Sequence, residues 1–149
     1  MDRTFTTVAL EEVRYGNVLP NSADPAPFVL IVDDHPLIAD TLVQILHDAG
    51  YAAISTYDAE SARELAEIAP PELLLTDICL PGMDGVDLAL LIESDIPDCK
   101  ILLFSALVGT VDLLQGARVQ GRDFTVLAKP IHPGELLQRV AHSLRTPLS

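Results

Sequence analysis

Three acids stand at the ends of apolar runs: Asp33 and Asp34 close "FVLIVDD", and Asp77 closes "ELLLTD". Ser105 ends a third run, "KILLFS", and Lys129 follows a fourth, "FTVLA". Singly, each has an ordinary structural explanation. Asp33 or Asp34, just ahead of Pro36, could cap a helix, and Asp77 could be a turn residue. Ser105 could simply finish a strand, and Lys129 could be a solvated surface charge. Jointly they describe one chemistry. Two carboxylates ~4 Å apart repel by roughly 4 kcal/mol at an effective dielectric of ~20. A third makes this worse unless a cation enters or one group binds a proton. Magnesium suits such a place, because it is a hard ion that takes one or two carboxylates, keeps waters and binds a phosphoryl oxygen. Lys129 adds a fixed positive charge, and the chain's only other lysine is Lys100. With Mg2+ and Lys129 neutralising phosphoryl oxygens and Ser105 donating to one of them, Asp77 could act as a nucleophile and form an acyl phosphate.

These groups must be brought to one rim, and the rest of the sequence shows how. "FVLIVD" (28–33) reads as strand β1, followed by a helical pattern α1 with Ile38, Leu42, Ile45, Leu46 and Ala49 on one face. Pro36 lies in its first turn and Gly50 just past its end. "AAIST" (52–56) is β2, and "DAESARELAEIAP" (58–70) is α2, with Ala62, Leu65, Ala66 and Ile68 as its apolar residues. "ELLLTD" (72–77) and "KILLFS" (100–105) are β3 and β4, continuous apolar runs of the kind found in strands covered on both faces. "GVDLALLIESD" (85–95) between them is α3, with Asp84 as its N-cap. "TVDLLQGARVQ" (110–120) is a helix α4 interrupted by Gly116, "FTVLA" (124–128) is β5, and "PGELLQRVAHSL" (133–144) is α5 with Leu136, Leu137, Val140 and Leu144 inward. Five alternations of strand and helix with right-handed crossovers give an α/β fold, a doubly wound five-stranded parallel sheet. Such sheets carry their sites at the carboxyl ends of the strands, where the five polar residues fall.

Composition narrows the partners. The chain has 149 residues, enough for one domain with a substantial core, and 49% hydrophobic residues argue against disorder. A net charge of −13 would repel phosphate backbones, so no direct nucleic acid partner is expected. Cys79 and Cys99 lack tight metal spacing and suit a reducing compartment. No run reaches the ~20 apolar residues that span a bilayer, and Glu11 and Glu12 interrupt the opening stretch, so the expectation is a cytoplasmic protein without a membrane partner. Residues 1–27, ending in "PNSADPAP", read as an N-terminal extension or linker, 28–145 as the domain, and 146–149 as a tail.

"VLIVDDHPLIADTL", "LLLTDICLPGMDG", "ILLFSA" and "LAKPIHPGEL", in this order and spacing, resemble the receiver domain of bacterial two-component response regulators. The resemblance covers about Phe28 to Leu144 and implies a flavodoxin-like (βα)5 fold with strand order 2-1-3-4-5. It implies Asp77 as phosphoacceptor and Asp34 as a direct Mg2+ ligand, with Asp33 beside it and the backbone carbonyl of Cys79 also on the metal. It implies Ser105 as the switch hydroxyl, Ala106 as the small residue leaving room for the phosphoryl group, Lys129 as the partner lysine, and a cis bond from Lys129 to Pro130. The implied phosphodonor is a sensor histidine kinase or phosphotransfer protein, and the output is a conformational signal to a protein target. A homodimer through the α4–β5–α5 face is a further implication, with Val108, Val111 and Leu114 as a candidate patch. His35 is read as a loop residue beside the metal site.

The sequence departs from the family in two places. The switch position on β5, three residues before the lysine, is aromatic in the family and is Val126 here; the nearest aromatic is Phe124. The stretch from Ser105 to Lys129 is about two residues longer than the family's, which leaves open a bulged β5 or a rebuilt α4. Only "RTPLS" follows α5, so a stand-alone receiver is expected, with a receiver cut from a DNA-binding regulator and a phosphate-independent adaptor as alternatives. An aspartyl-phosphate phosphatase is disfavoured, because such enzymes need a general-acid carboxylate two residues after the nucleophile, where Cys79 stands.

Overall fold

A computed structural model describes residues 25–106 and 124–145. Five strands, β1 (Phe28–Val32), β2 (Ala52–Thr56), β3 (Leu73–Asp77), β4 (Lys100–Ser105) and β5 (Thr125–Ala128), form one parallel sheet. Their spatial order is β2-β1-β3-β4-β5, the predicted 2-1-3-4-5. Helices α1 (Pro36–Asp48), α2 (Ala59–Ile68), α3 (Gly85–Asp95) and α5 (Pro133–Arg145) cover the two faces. The predicted α4 and the patch Val108, Val111 and Leu114 lie outside the described residues.

The continuous apolar runs have a direct packing explanation. Successive strand residues point to opposite faces, so a strand buried on both sides must be apolar at every position. On β1, Val29 and Ile31 pack with Ala39, Leu42 and Leu46 of α1 and with Leu136 and Val140 of α5. Leu30 and Val32 pack on the other side, with Ala59, Ala62 and Ala66 of α2 and Leu88 and Ile92 of α3. Edge strand β2 is covered less completely, and Ile54 on it is exposed.

The helix faces differ in detail from the sequence pattern. In α1 the inward row is Ala39, Leu42 and Leu46, while Ile38 and Ala49 turn outward. In α2, Ile68 is exposed as the last residue of the helix. Gly50 (φ +99°) closes α1 as predicted. Strand β5 pairs with β4 residue for residue, Leu102 with Thr125 through Ser105 with Ala128, so no bulge interrupts Thr125–Ala128.

Candidate functional site

The order of the sheet reverses between β1 and β3, and the crevice at the carboxyl ends of these strands is where such sheets bind ligands. Asp33, directly after β1, is fully buried. Asp77, the last residue of β3, is 3% exposed. Lys129, after β5, reaches across β4 to both: its Nζ donates to Asp77 Oδ2 at 2.8 Å and to Asp33 Oδ2 at 3.0 Å. The ammonium also lies 5.0 Å from the centroid of the Phe104 ring, which gives it an aromatic floor within cation–π range.

The remaining oxygens are held locally. Asp77 Oδ1 accepts the Cys79 N–H at 3.1 Å. Asp33 Oδ1 accepts the His35 N–H at 2.9 Å and lies 3.1 Å from His35 Nδ1. Neither Asp33 nor Asp34 caps α1. The N-cap residue is His35, without a side-chain capping bond, and the helix start relies on Pro36 instead. Asp34 keeps a third of its side chain exposed, yet its Oδ1 is buried and accepts no hydrogen bond.

Burial and pairing compete at the buried ends of this cluster. Burial pushes the Asp77 carboxyl above its ordinary value, and the hydrogen bonds from Lys129 and from the Cys79 N–H only partly offset it. At Lys129 burial works against the ammonium, but the hydrogen bonds to Asp77 and Asp33 outweigh it and leave the pKa raised. Both partners therefore move upward, because desolvation of Asp77 exceeds what a single lysine shared with Asp33 returns.

A loop follows Asp77 directly. After Asp77 the chain turns through Pro81 and Gly82, the latter at φ +76°. It re-enters at Asp84, whose Oδ1 caps α3 by accepting the Asp87 N–H at 2.9 Å. Gly85 then passes so close to the Asp77 backbone that any Cβ would overlap the Asp77 carbonyl oxygen. Its glycine identity is what allows α3 to start against the site.

The other predicted residues are placed around this centre. Ser105 is fully buried at the end of β4, and its carbonyl accepts the Lys129 N–H at 2.8 Å. Ala106 beside it is exposed. Val126 is half-buried and packs, together with Phe124, against Ile78, Val86, Ala89 and Leu103. The bond from Lys129 to Pro130 is cis. Cys79, two residues after Asp77, is exposed.

The three carboxylates of this cluster suit a hard divalent ion. One ligand atom from each of Asp33, Asp34, His35 and Asp77 lies within 4.8 Å of the others, and the orphaned Asp34 Oδ1 is a buried acceptor that a cation would satisfy. Sequence reasoning named the three acids but gave no special part to His35, Phe104 or Gly85. A histidine between an acid pair and a proline was the signal for the first; nothing in "KILLFS" singles out Phe104.

Residues 29–141 match the response regulator receiver domain family. The chain belongs to that family. This receiver is 32% identical over 117 residues to the DNA-binding response regulator MtrA of Mycolicibacterium smegmatis, covering 78% of this chain and 50% of that protein. It is 34% identical over 121 residues to the transcriptional regulatory protein BaeR of Escherichia coli, covering 80% of this chain and 48% of that one. The receiver thus spans about half the length of the curated relatives it matches. Among solved structures it resembles a CheY-like response regulator receiver domain protein from Methanospirillum hungatei, with a TM-score of 0.73, 26% identity, and coverage of 80% of this chain and 94% of that one. Among the described residues no helix is long and apolar enough to cross a membrane.

Proposed function

We propose that this receiver accepts a phosphoryl group on Asp77 from a phosphohistidine of a sensor kinase or phosphotransfer protein, and signals the change to a protein target in the cytoplasm. The single observation that supports this most is the placement of Asp77, buried at the switch point with its Oδ2 held by Lys129 and flanked by two more acids. A carboxylate oxygen of Asp77 attacks phosphorus, the P–N bond to the donor imidazole breaks, and the departing ring nitrogen keeps the electron pair. Lys129 stays charged and faces the oxygens that gain charge. Ser105 donates to one of them, and exposed Ala106 leaves room beside it.

Asp33, Asp34, Asp77 and the carbonyl of Cys79 are the groups that would hold Mg2+. When bound, the ion supplies charge neutralisation of phosphoryl oxygens. Such a protein is a switch that catalyses only its own phosphorylation and dephosphorylation. Leu37 and Ile38, exposed at the start of α1 beside Lys129, Pro130 and Ile131, offer apolar surface for a protein donor. Output runs through Ser105 toward β5, where Val126 takes the place of an aromatic, and homodimerisation would use the α4–β5–α5 face. A DNA-directed output is a second reading, favoured because MtrA is described as DNA-binding and the matched stretch is only 50% of that protein. With a charge of −13, this chain itself is not the DNA-contacting part.

The test is incubation with Mg2+ and acetyl phosphate, followed by intact mass. The parent should gain one phosphoryl adduct and Asp77→Asn none. An adduct that persists in Asp77→Asn rejects Asp77 as acceptor. Absence of any adduct on the parent moves the weight to a phosphate-independent adaptor.

A further inference from the structure

We infer that His35 is a nitrogen ligand in the acidic pocket and sets its cation preference, drawing it toward divalent transition ions. The inference rests on the reading above that the pocket holds a cation, and it adds a residue that the receiver resemblance does not assign.

Three observations carry it. First, the ring is not employed in the helix. His35 occupies the N-cap of α1, the position where a side chain normally accepts a backbone N–H, and it makes no such bond. Second, its Nδ1 is turned toward the acids, 3.1 Å from Asp33 Oδ1 and 3.3 Å from Asp34 Oδ1, although 65% of the side chain is exposed. Two ligands of one octahedral ion held at about 2.1 Å stand about 3 Å apart, so these spacings suit a shared ion. Third, Asp34 Oδ1 is buried without a hydrogen bond, which means the Nδ1 contact at 3.3 Å leaves that oxygen unsatisfied.

The backbone supports the arrangement. A residue before proline is driven to extended conformations, and His35, before Pro36, has φ −98° and ψ 102°. That conformation holds the ring beside the acid pair. An all-oxygen pocket suits Mg2+, whereas an imidazole nitrogen adds affinity for later divalent ions. The competing explanation is that Nδ1–H simply donates to Asp33 Oδ1. In that case the ring has no share in cation binding.

Isothermal titration calorimetry of the full chain with MgCl2 and with CoCl2 distinguishes these, supported by the Co2+ visible absorption bands, which respond to a nitrogen ligand. His35→Ala should weaken Co2+ by at least about tenfold, leave Mg2+ within about twofold, and shift the bands. His35→Asn, which restores a good N-cap, should lose the Co2+ preference as well and guards against loss of the helix start. Unchanged Co2+ affinity, or an equal loss for both ions, overturns the role of His35. A parent that binds neither ion, or binding that survives Asp34→Asn unaltered, overturns the cation pocket itself and is read separately from the His35 variants.

Discussion

Strand β3 has every residue buried, whereas β5 at the sheet edge leaves Thr125 and Ala128 to solvent. Both end in the same pocket. The central strands fix the acids rigidly, because Asp33 and Asp77 continue runs packed on both faces. The edge delivers its charge by reach, through the long side chain of Lys129, which is 16% exposed. The difference teaches that the pocket has a stiff acidic wall and an adaptable basic one.

The largest effect should come from attacking the stiff side. Phe104→Ala removes a fully buried ring of β4 and the floor under Lys129, and should cost about 3–5 kcal/mol in urea unfolding. On the edge, Ile54→Ala of β2 should cost less than about 1 kcal/mol in the same assay. Equal losses would erase the contrast. Next, Lys129→Met leaves Asp33 and Asp77 as buried carboxylates without their shared cation. It should destabilise by about 2–4 kcal/mol and lower the yield of the acetyl phosphate adduct.

Asp77→Asn should act in the opposite direction, stabilising by up to about 1 kcal/mol and raising the melting temperature by a few degrees. Its sign follows from linkage. The folded Asp77 carboxyl titrates above its ordinary 3.8, so between that value and its raised one the native state binds more protons than the unfolded chain. Stability therefore falls as pH rises through this window, and Asp77→Asn should lack that fall. Lys129 sits above its ordinary 10.5, so its contribution is complete below 10.5 and disappears as pH rises through the raised value. Parent and Lys129→Met should therefore converge in melting temperature in strong alkali.

The smallest test concerns the thiols and needs no mutation. Burial pushes Cys99 up to about 12, while Cys79 is exposed at the pocket rim. A maleimide should label one site per native chain, at Cys79, and a second only on unfolding. Rapid native labelling of Cys99 would mean that the α3–β4 junction opens readily.

Much of this was legible before any coordinates. Continuous apolar runs marked β1, β3 and β4, because burial on both faces leaves no room for polar alternation, while the edge strands β2 and β5 were marked by short runs between breakers. Asp84 as a cap and Gly50 as a helix stop were readable from local chemistry alone. The helix faces were less so: Ile38 and Ile68 fit the spacing but lie at helix ends, where periodicity does not say whether the neighbouring layer still extends. Asp33 and Asp34 looked capable of capping α1, and the structure gives them to the pocket instead.

By itself, then, the sequence determined which residues end the strands and what charges they carry, since those follow from short-range pattern. Only the tertiary structure decided that Lys129 meets Asp77, 52 residues away, and Asp33, 96 away, and that the His35 ring faces the acids. Those meetings depend on strand order and register, which set ångström distances between segments that share no local pattern.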